Sequence, residues 1–447
     1  MIIGPDWSIL APRLKALGLS PDCLSRPGLE AQVRTGRRVV IVEPEPRNYL
    51  VAFFLALRES CAVFLGNPWW GVSRWQEAVK LIEPHLIIGS PRSPPEFYLD
   101  SVAEHRRNWP AIMISSGGTS GGLRYAISTW VKLEAAALAF QKHLGGGPIN
   151  NCCVLPFWHV SGLMQAVRSV ATGGDLVICD YSKVEAGDLP DLPDDSYIIS
   201  LVPTQLRRLI SNPETCRWLA RMKAILLGGS SASEDLLSAC RDAGLKIAPC
   251  YGLTESAAFV TVLDPVDFLN GVNGVGKPLP GAEVFIRSDT GIPVDPLQRG
   301  RIIVNSDALF HGYYPKVSHS VSDGFATDDE GYKDAEGNLH IIGRLDRIII
   351  TGGEKVDPTV VENAIVNTGL VSDVVVFGKQ DPEWGRSVSA AVVPCGSESG
   401  VDAETLKTAV SAALAPYEIP KDWIILERIP RNELGKIDWQ DDLFGNA

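Results

Sequence analysis

Apolar residues along this chain come in short bursts that alternate with longer mixed stretches. Residues 39–42 form a β-branched run that Glu43-Pro44-Glu45-Pro46 breaks. The apolar stretch 49–57 has helical length, and 61–65 reads as a second strand, stopped by Gly66-Asn67-Pro68. Strand, helix, strand is the pattern of a βαβ unit. It recurs: 86–88, 111–115 and 152–155 are strand-like, and 132–144 is helical. Residues 198–202, 224–227 and 247–249 read as buried parallel strands between helical segments. The fold class predicted is α/β, with mainly parallel sheets flanked by helices.

From about Gly274 the texture changes. Residues 283–285, 300–304 and 339–342 are short strands separated by turn residues, which predicts a small antiparallel subdomain. After Asp346 a new unit begins: strand 348–350, the turn Gly352-Gly353, helix 358–367, strands 373–377 and 388–393, and helix 403–414. The expected organisation is a large N-terminal domain over 1–345 and a small, mobile α+β C-terminal domain over 346–447. The joint falls at 344–347. No long linker, low-complexity tract or internal repeat interrupts this plan.

Composition narrows the class. The 447 residues are 45% hydrophobic and 21% charged, the balance of a globular protein with a sizeable core. A formal net charge of −12 argues against a nucleic-acid binder, which needs a basic face. It leaves room for an anionic substrate held by local arginines. Nine cysteines are scattered, and apart from the adjacent Cys152-Cys153 they form no paired CxxC motif. Reduced, buried thiols are therefore expected rather than a metal cluster. The stretch 49–57 ends at Arg58-Glu59 and is too short to span a bilayer. With no leader-like N-terminus, the expectation is a cytoplasmic protein without integral membrane contact. Homo-oligomerisation is left open.

Several motifs carry chemistry. Ser115-Ser116-Gly117-Gly118-Thr119-Ser120-Gly121-Gly122-Leu123-Arg124 follows a strand-like run. Its glycines let backbone N–H groups approach a phosphate, its hydroxyls add donors, and Arg124 brings positive charge. No Gly-Lys-Ser/Thr ends it, so it is not a Walker loop, and flexible surface loops share this composition. Tyr251-Gly252-Leu253-Thr254-Glu255 follows the strand at 247–249. A tyrosine stacks on a base, a threonine hydrogen-bonds a phosphate, and a glutamate holds Mg²⁺ through oxygen. A strand-to-helix turn with Thr254 as cap and Glu255 in the first turn is the competing account. Around the expected joint lie Asp329-Glu330-Gly331-Tyr332, Gly343-Arg344-Leu345-Asp346 and Gly352-Gly353-Glu354-Lys355-Val356, with Gly435-Lys436 near the end.

In this order the motifs resemble those of the adenylate-forming superfamily, the acyl-CoA synthetases and adenylation domains. The resemblance implies an enzyme that takes ATP, CoA and Mg²⁺. It implies that Ser116, Thr119 and Arg124 handle the ATP phosphates. Gly229 and Ser230, in Gly228-Gly229-Ser230, flank the adenine with Tyr251; Thr254 and Glu255 serve phosphate and metal. Asp329 falls on the acid that holds the ribose hydroxyls, a role that suits a carboxylate's two acceptor oxygens, with Arg344 beside it. An exposed turn acid is the other account of Asp329 in a chain with 53 acidic residues. Asp346 falls on the hinge, Gly353 and Lys355 on the loop lining the pantetheine channel, and Lys436 on the catalytic lysine that neutralises developing charge. Two positions depart from the family: Leu123-Arg124-Tyr125 replaces Pro-Lys-Gly, and Asp328 replaces a glycine.

The acid is read from Leu155-Pro156-Phe157-Trp158-His159-Val160-Ser161-Gly162-Leu163 through Arg168. Within the family, His159, Ser161 and a downstream arginine resemble the o-succinylbenzoate–CoA ligases of menaquinone and phylloquinone synthesis, as does the run from Leu201 to Leu209. That small-molecule acid has two carboxylates, of which one is activated; Arg168 offers the other a bidentate partner. An ordinary helix-surface arginine is the alternative. Ligases for other aryl or acyl acids, enzymes that load a carrier protein, and a nucleotide-binding regulator without catalysis remain as alternatives.

Overall fold

The computed structural model describes residues 5–19, 33, 37–90, 111–117, 123–288, 290–316, 324–395, 401–411, 413–431 and 437. By internal packing the chain divides into two compact units. One comprises Met1–Phe285, Ile303–Phe325 and Gly337–Leu339; the other comprises Ile286–Ile302, Ala326–Glu336 and His340–Ala447.

The first unit contains two large sheets. In the five-stranded sheet the order is Leu86–Gly89, Arg38–Val42, Ala62–Leu65, Ala111–Gly117, Leu123–Ser128. The first four strands run parallel and the last is antiparallel. Its strands read as continuous apolar runs because both faces are covered. Val39 and Ile41 enter one core cluster, while Val40 and Val42 enter another around Trp75. Helix Pro46–Arg58 starts with proline in its first turn, and the Glu45 side chain accepts from Asn48 N at 2.7 Å. Every residue from Tyr49 to Leu57 on it is buried, which explains a helix without a polar face.

The seven-stranded sheet runs Lys277–Pro278, Ala258–Val262, Ile247–Leu253, Ala224–Leu227, Tyr197–Leu201, Asn150–Cys153, Leu176–Ile178. From Ile247–Leu253 to Leu176–Ile178 the pairing is parallel; the other two strands are antiparallel additions. Parallel strands leave their C-terminal ends facing one crevice, where ligands of α/β sheets bind. The motifs at residues 155–163, 202–206, 228–230 and 251–255 all follow or finish strands of this sheet.

Strands Ala282–Arg287, Gly300–Ser306, Phe325–Lys333 and Leu339–Arg344 form a four-stranded sheet in chain order. In the second unit, Val371–Asp381 and Gly385–Pro394 make a long antiparallel ladder, and Asp422–Ile425 adds parallel to the latter. Helices Pro358–Val366 and Ala403–Val410 contribute Val361, Ile365, Leu406 and Val410 to the same core as Val376, Val388 and Ala390. The second helix stops at Val410, short of the expected 414. The eight described cysteines are free thiols. Among the described residues no helix is long and apolar enough to cross a membrane.

Candidate active site

Of the expected phosphate loop, residues 118–122 lie outside the described residues; its two ends belong to an antiparallel strand pair. Ser115, Ser116 and Gly117 still belong to the outgoing strand and face Tyr125, Arg124 and Leu123 of the returning one. Arg124 is therefore a strand residue directly opposite Ser116, not a loop residue. The return strand was missed because Leu123-Arg124-Tyr125 lies next to glycines that read as loop. Leu123 N is held by the Glu77 carboxylate at 2.7 Å. Thr119 lies outside the described residues.

Strand Ile247–Leu253 continues past the expected 249, so Tyr251 is a strand residue, 8% exposed. Side-chain bulk is excluded at Gly252, where a Cβ would collide with the Ala258 carbonyl oxygen. One short 3-10 turn, Thr254–Ser256, follows, tied by Ser256 Oγ, which both accepts from Leu253 N and reaches its carbonyl. Ala257 and Ala258 leave the turn at φ of 54° and 83°, a left-handed backbone that costs energy for a residue with a side chain. Two consecutive strained alanines mark this turn as a place where geometry outranks stability. Thr254 is half-buried as the first residue of that turn, whose cap is Leu253, so Thr254 is no helix cap; Glu255 does lie in the first turn, and a strand rather than an α-helix follows.

Glu255 is 6% exposed. Its Oε1 accepts from Ser116 Oγ at 2.7 Å and from Tyr313 OH at 2.7 Å. Its backbone carbonyl accepts from Phe310 N at 2.8 Å. Residues 311–314 in turn run along the return strand of the hairpin: His311 N donates to Ile127 O, Ile127 N to Gly312 O, and Tyr314 N to Tyr125 O. Arg124 lies over the Tyr313 ring at 5.1 Å. The structure thus joins Ser116, Arg124 and Glu255 and adds Tyr313, which the sequence reading did not name.

Gly229 (φ 86°) and the exposed Ser230 follow strand Ala224–Leu227; Gly229 lies against Val202 at the end of the neighbouring strand. His159 and Ser161 begin helix Val160–Thr172, His159 as its N-cap, and both are half-buried. Gly162 permits that helix to start against Pro156, whose carbonyl a Cβ would strike.

Arg168 corrects the surface-arginine account: every residue from Gly162 to Thr172 is buried, and Arg168 is 2% exposed. Its guanidinium lies over the rings of Phe140 at 5.5 Å and Phe259 at 5.1 Å. Nε and Nη2 are buried without a hydrogen-bond partner. Burial pulls its pKa down to about 10, opposed by the Cys250 and Cys153 thiols. Burial in turn pushes those thiols up to about 12, so they stay neutral and supply no counter-charge at physiological pH. Among the described residues no carboxylate pairs with this cation.

In the second unit Asp329 is not a turn acid. It sits within strand Phe325–Lys333 at 6% exposure, and its N–H donates to Thr327 Oγ1 at 3.1 Å. Polar residues along this nine-residue strand hid it from a hydrophobic pattern. Arg344 approaches Asp329 at 3.8 Å and Asp328 at 3.9 Å, and Arg301 approaches Asp328 at 3.4 Å. The extra negative charge of Asp328 is thus bracketed by two guanidinium groups. Asp346 is the middle residue of a turn, Leu345–Arg347. Gly352 and Gly353, at φ of 56° and 91°, close a two-residue hairpin that places Lys355, exposed, opposite Ile350. Lys436 lies outside the described residues; Arg431 and Ile437 on either side of it pair as an antiparallel bridge.

A strand-crevice fold with a hydroxyl-rich hairpin beside a buried glutamate defines a nucleotide-handling α/β enzyme. Residues 100–314 match the AMP-binding enzyme family and residues 360–436 match the AMP-binding enzyme C-terminal domain, and the chain belongs to that family. It is 31% identical to the 2-succinylbenzoate–CoA ligase of Bacillus velezensis over 73% of this chain and 67% of the relative. It is likewise 31% identical to that of Listeria monocytogenes over 73% and 68%. Among solved structures, it is similar to o-succinylbenzoate CoA synthetase (MenE) from Bacillus subtilis in complex with the acyl-adenylate intermediate OSB-AMP. The TM-score is 0.76 at 24% identity, over 96% of this chain and 89% of that one. ATP-bound MatB from Rhodopseudomonas palustris matches with a TM-score of 0.78 at 20% identity, over 98% and 94%. At these identities the solved structures establish the fold.

Proposed function

We propose that the protein is an ATP- and CoA-dependent, AMP-forming ligase whose acid is o-succinylbenzoate. The observation that carries the choice of acid is Arg168: a buried guanidinium with no counter-ion among the described residues and with Nε and Nη2 unmet. A second carboxylate on the substrate meets that need bidentately, and the curated relatives at 31% identity are named for such an acid. His159 and Ser161, at the mouth of the same helix, line the acid's path.

A carboxylate is a poor electrophile, because oxide is a poor leaving group. Transfer of AMP from ATP to the carboxylate, with pyrophosphate leaving, gives an acyl-adenylate; thiolate attack by CoA then expels AMP. Ser116, Thr119 and Arg124 are assigned to the phosphates, Gly229, Ser230 and Tyr251 to the adenine, and Asp329 with Arg344 to the ribose. Thr254 and Glu255 complete the phosphate and metal end. Among the described residues no cluster of three metal-ligating side chains occurs. A lone buried carboxylate beside hydroxyls fits Mg²⁺, which takes few protein ligands and several phosphate and water oxygens. Glu255 would hold the ion, whose chemical contribution there would be to neutralise phosphate charge. Lys436 positions the carboxylate and stabilises the charge that develops in line. Asp346 is the hinge between a large domain over 1–345 and a small one over 346–447, and Gly353 and Lys355 serve the CoA thiol after reorganisation. An enzyme that draws on ATP and CoA works in the cytoplasm, where both are at hand.

The test is ATP- and CoA-dependent thioester formation across a panel of acids. o-Succinylbenzoate should be preferred over the analogue whose aromatic carboxylate is a methyl ester; equal kcat/KM for the two sinks the choice of acid. Lys436→Ala should abolish adenylation yet spare thioester formation from supplied acyl-adenylate.

A further inference from the structure

Tyr313 stands where two parts of the nucleotide site meet, and nothing in the reaction as outlined uses it. Its hydroxyl donates to Glu255 Oε1 at 2.7 Å, and its ring face carries the Arg124 guanidinium at 5.1 Å. The ring itself is held. Phe310 packs edge-on to it at 4.9 Å, and the Tyr313 backbone bridges to Ala126 of the hairpin's return strand. Both donors on Glu255 converge on Oε1; among the described residues no hydrogen bond reaches Oε2. One carboxylate oxygen is thereby fixed and the other left for a ligand.

The two donors differ in kind. Ser116 lies on the strand that leads into the phosphate loop, directly opposite Arg124, and its hydroxyl is assigned to the phosphates. Tyr313 lies outside that loop, and its phenol is rigid once its ring is packed. The residue type fits the contact: arginine is the commoner partner in cation–π pairs with aromatic rings.

We propose that Tyr313 is a positioning residue that orients Glu255 toward the metal–nucleotide complex with its hydroxyl and Arg124 toward the phosphates with its ring. The proposal rests on the nucleotide site assigned above. Tyr313→Phe removes the hydroxyl and keeps the ring; Tyr313→Leu removes both. The probe is Mn²⁺ standing in for Mg²⁺, with α,β-methylene-ATP on the full-length protein. Bound metal is read from the loss of the free-Mn²⁺ paramagnetic resonance signal. Tyr313→Phe should weaken Mn²⁺ binding about tenfold, the scale of one lost hydrogen bond to a charged group. It should raise the Mg²⁺ midpoint of acid-dependent ATP–pyrophosphate exchange in parallel. The KM for the acid, the metal-free affinity for the analogue and the melting temperature should stay at wild-type values. Tyr313→Leu should in addition lower the metal-free affinity for the analogue. Unchanged Mn²⁺ binding in Tyr313→Phe overturns the proposal. So does a uniform loss of metal, acid and nucleotide binding with a lowered melting temperature, which is the mark of a packing role. A wild-type protein that binds no metal with the nucleotide analogue overturns the assigned site and the proposal together.

Discussion

Glu255 and Arg168 are both charged, both buried and both in the same compact unit, yet their surroundings are opposite. Glu255 meets two hydroxyl donors on one oxygen and a backbone anchor at its carbonyl. Arg168 meets two aromatic faces and two neutral thiols, with Nε and Nη2 unmet. A buried charge without partners is costly, so the fold tolerates at Arg168 what it avoids at Glu255. The contrast separates two kinds of readiness. The carboxylate is pre-oriented and its partners belong to the protein; the guanidinium is desolvated in advance, and under the proposed function its partner arrives with the substrate.

The sharpest way to break the first half of the contrast is Glu255→Gln, which keeps the hydroxyl acceptor and removes the charge. The adenylation rate should fall about 10³-fold, as for loss of a pre-organised electrostatic group, while the melting temperature barely moves. A large loss of stability with modest loss of rate would make Glu255 a structural acid. Arg168→Met tests the other half through two readouts of opposite sign. KM for o-succinylbenzoate should rise by up to about 10²-fold, the worth of a bidentate charged hydrogen bond. The unliganded protein should become more stable by about 1 kcal/mol, because an unpaired buried cation is replaced by an apolar chain. Destabilisation on Arg168→Met would mean that the rings, not a ligand, are its true partners.

The pH dependence follows from the same cation. Arg168 is pulled down from 12.5 to about 10 by burial, so between those values the unfolded chain holds a proton that the folded one has lost. The term from this group therefore adds stability as pH rises through that window, and its cost is fully present below about 10. Affinity for the two-carboxylate acid should drop as pH passes about 10, in titrations that Arg168→Met renders flat.

The parallel sheets were legible because runs such as residues 39–42 and 224–227 are apolar on both faces. What lay hidden was whatever depended on packing between distant segments. Glu255, Ser116 and Tyr313 are brought together from positions 139 and 58 residues apart, and Gly312-Tyr313-Tyr314-Pro315 reads locally as a turn and nothing more. Asp329 misled in the other direction: an acid in Thr327-Asp328-Asp329-Glu330 looks solvent-bound, but strand alternation turns it inward while Asp328 faces out. The burial of Arg168 was not legible. The helix that carries it has no solvated face, so a surface position was never available, and only Gly162 hinted at so close an approach.

The smallest expected effect concerns the rings beneath Arg168. Phe140 and Phe259 pack edge to face at 5.0 Å, and the guanidinium spans both. Phe259→Leu keeps apolar bulk and removes the ring quadrupole, worth about 1 kcal/mol beneath a desolvated cation. KM for o-succinylbenzoate should then rise about fivefold while KM for ATP is unchanged. The sign is informative. If the rings hold the guanidinium in the pose that receives the acid, losing one loosens the pose and weakens binding. If instead they compete with the acid for the cation, Phe259→Leu should lower KM, and Arg168 would then be held back by its aromatic neighbours rather than aimed by them.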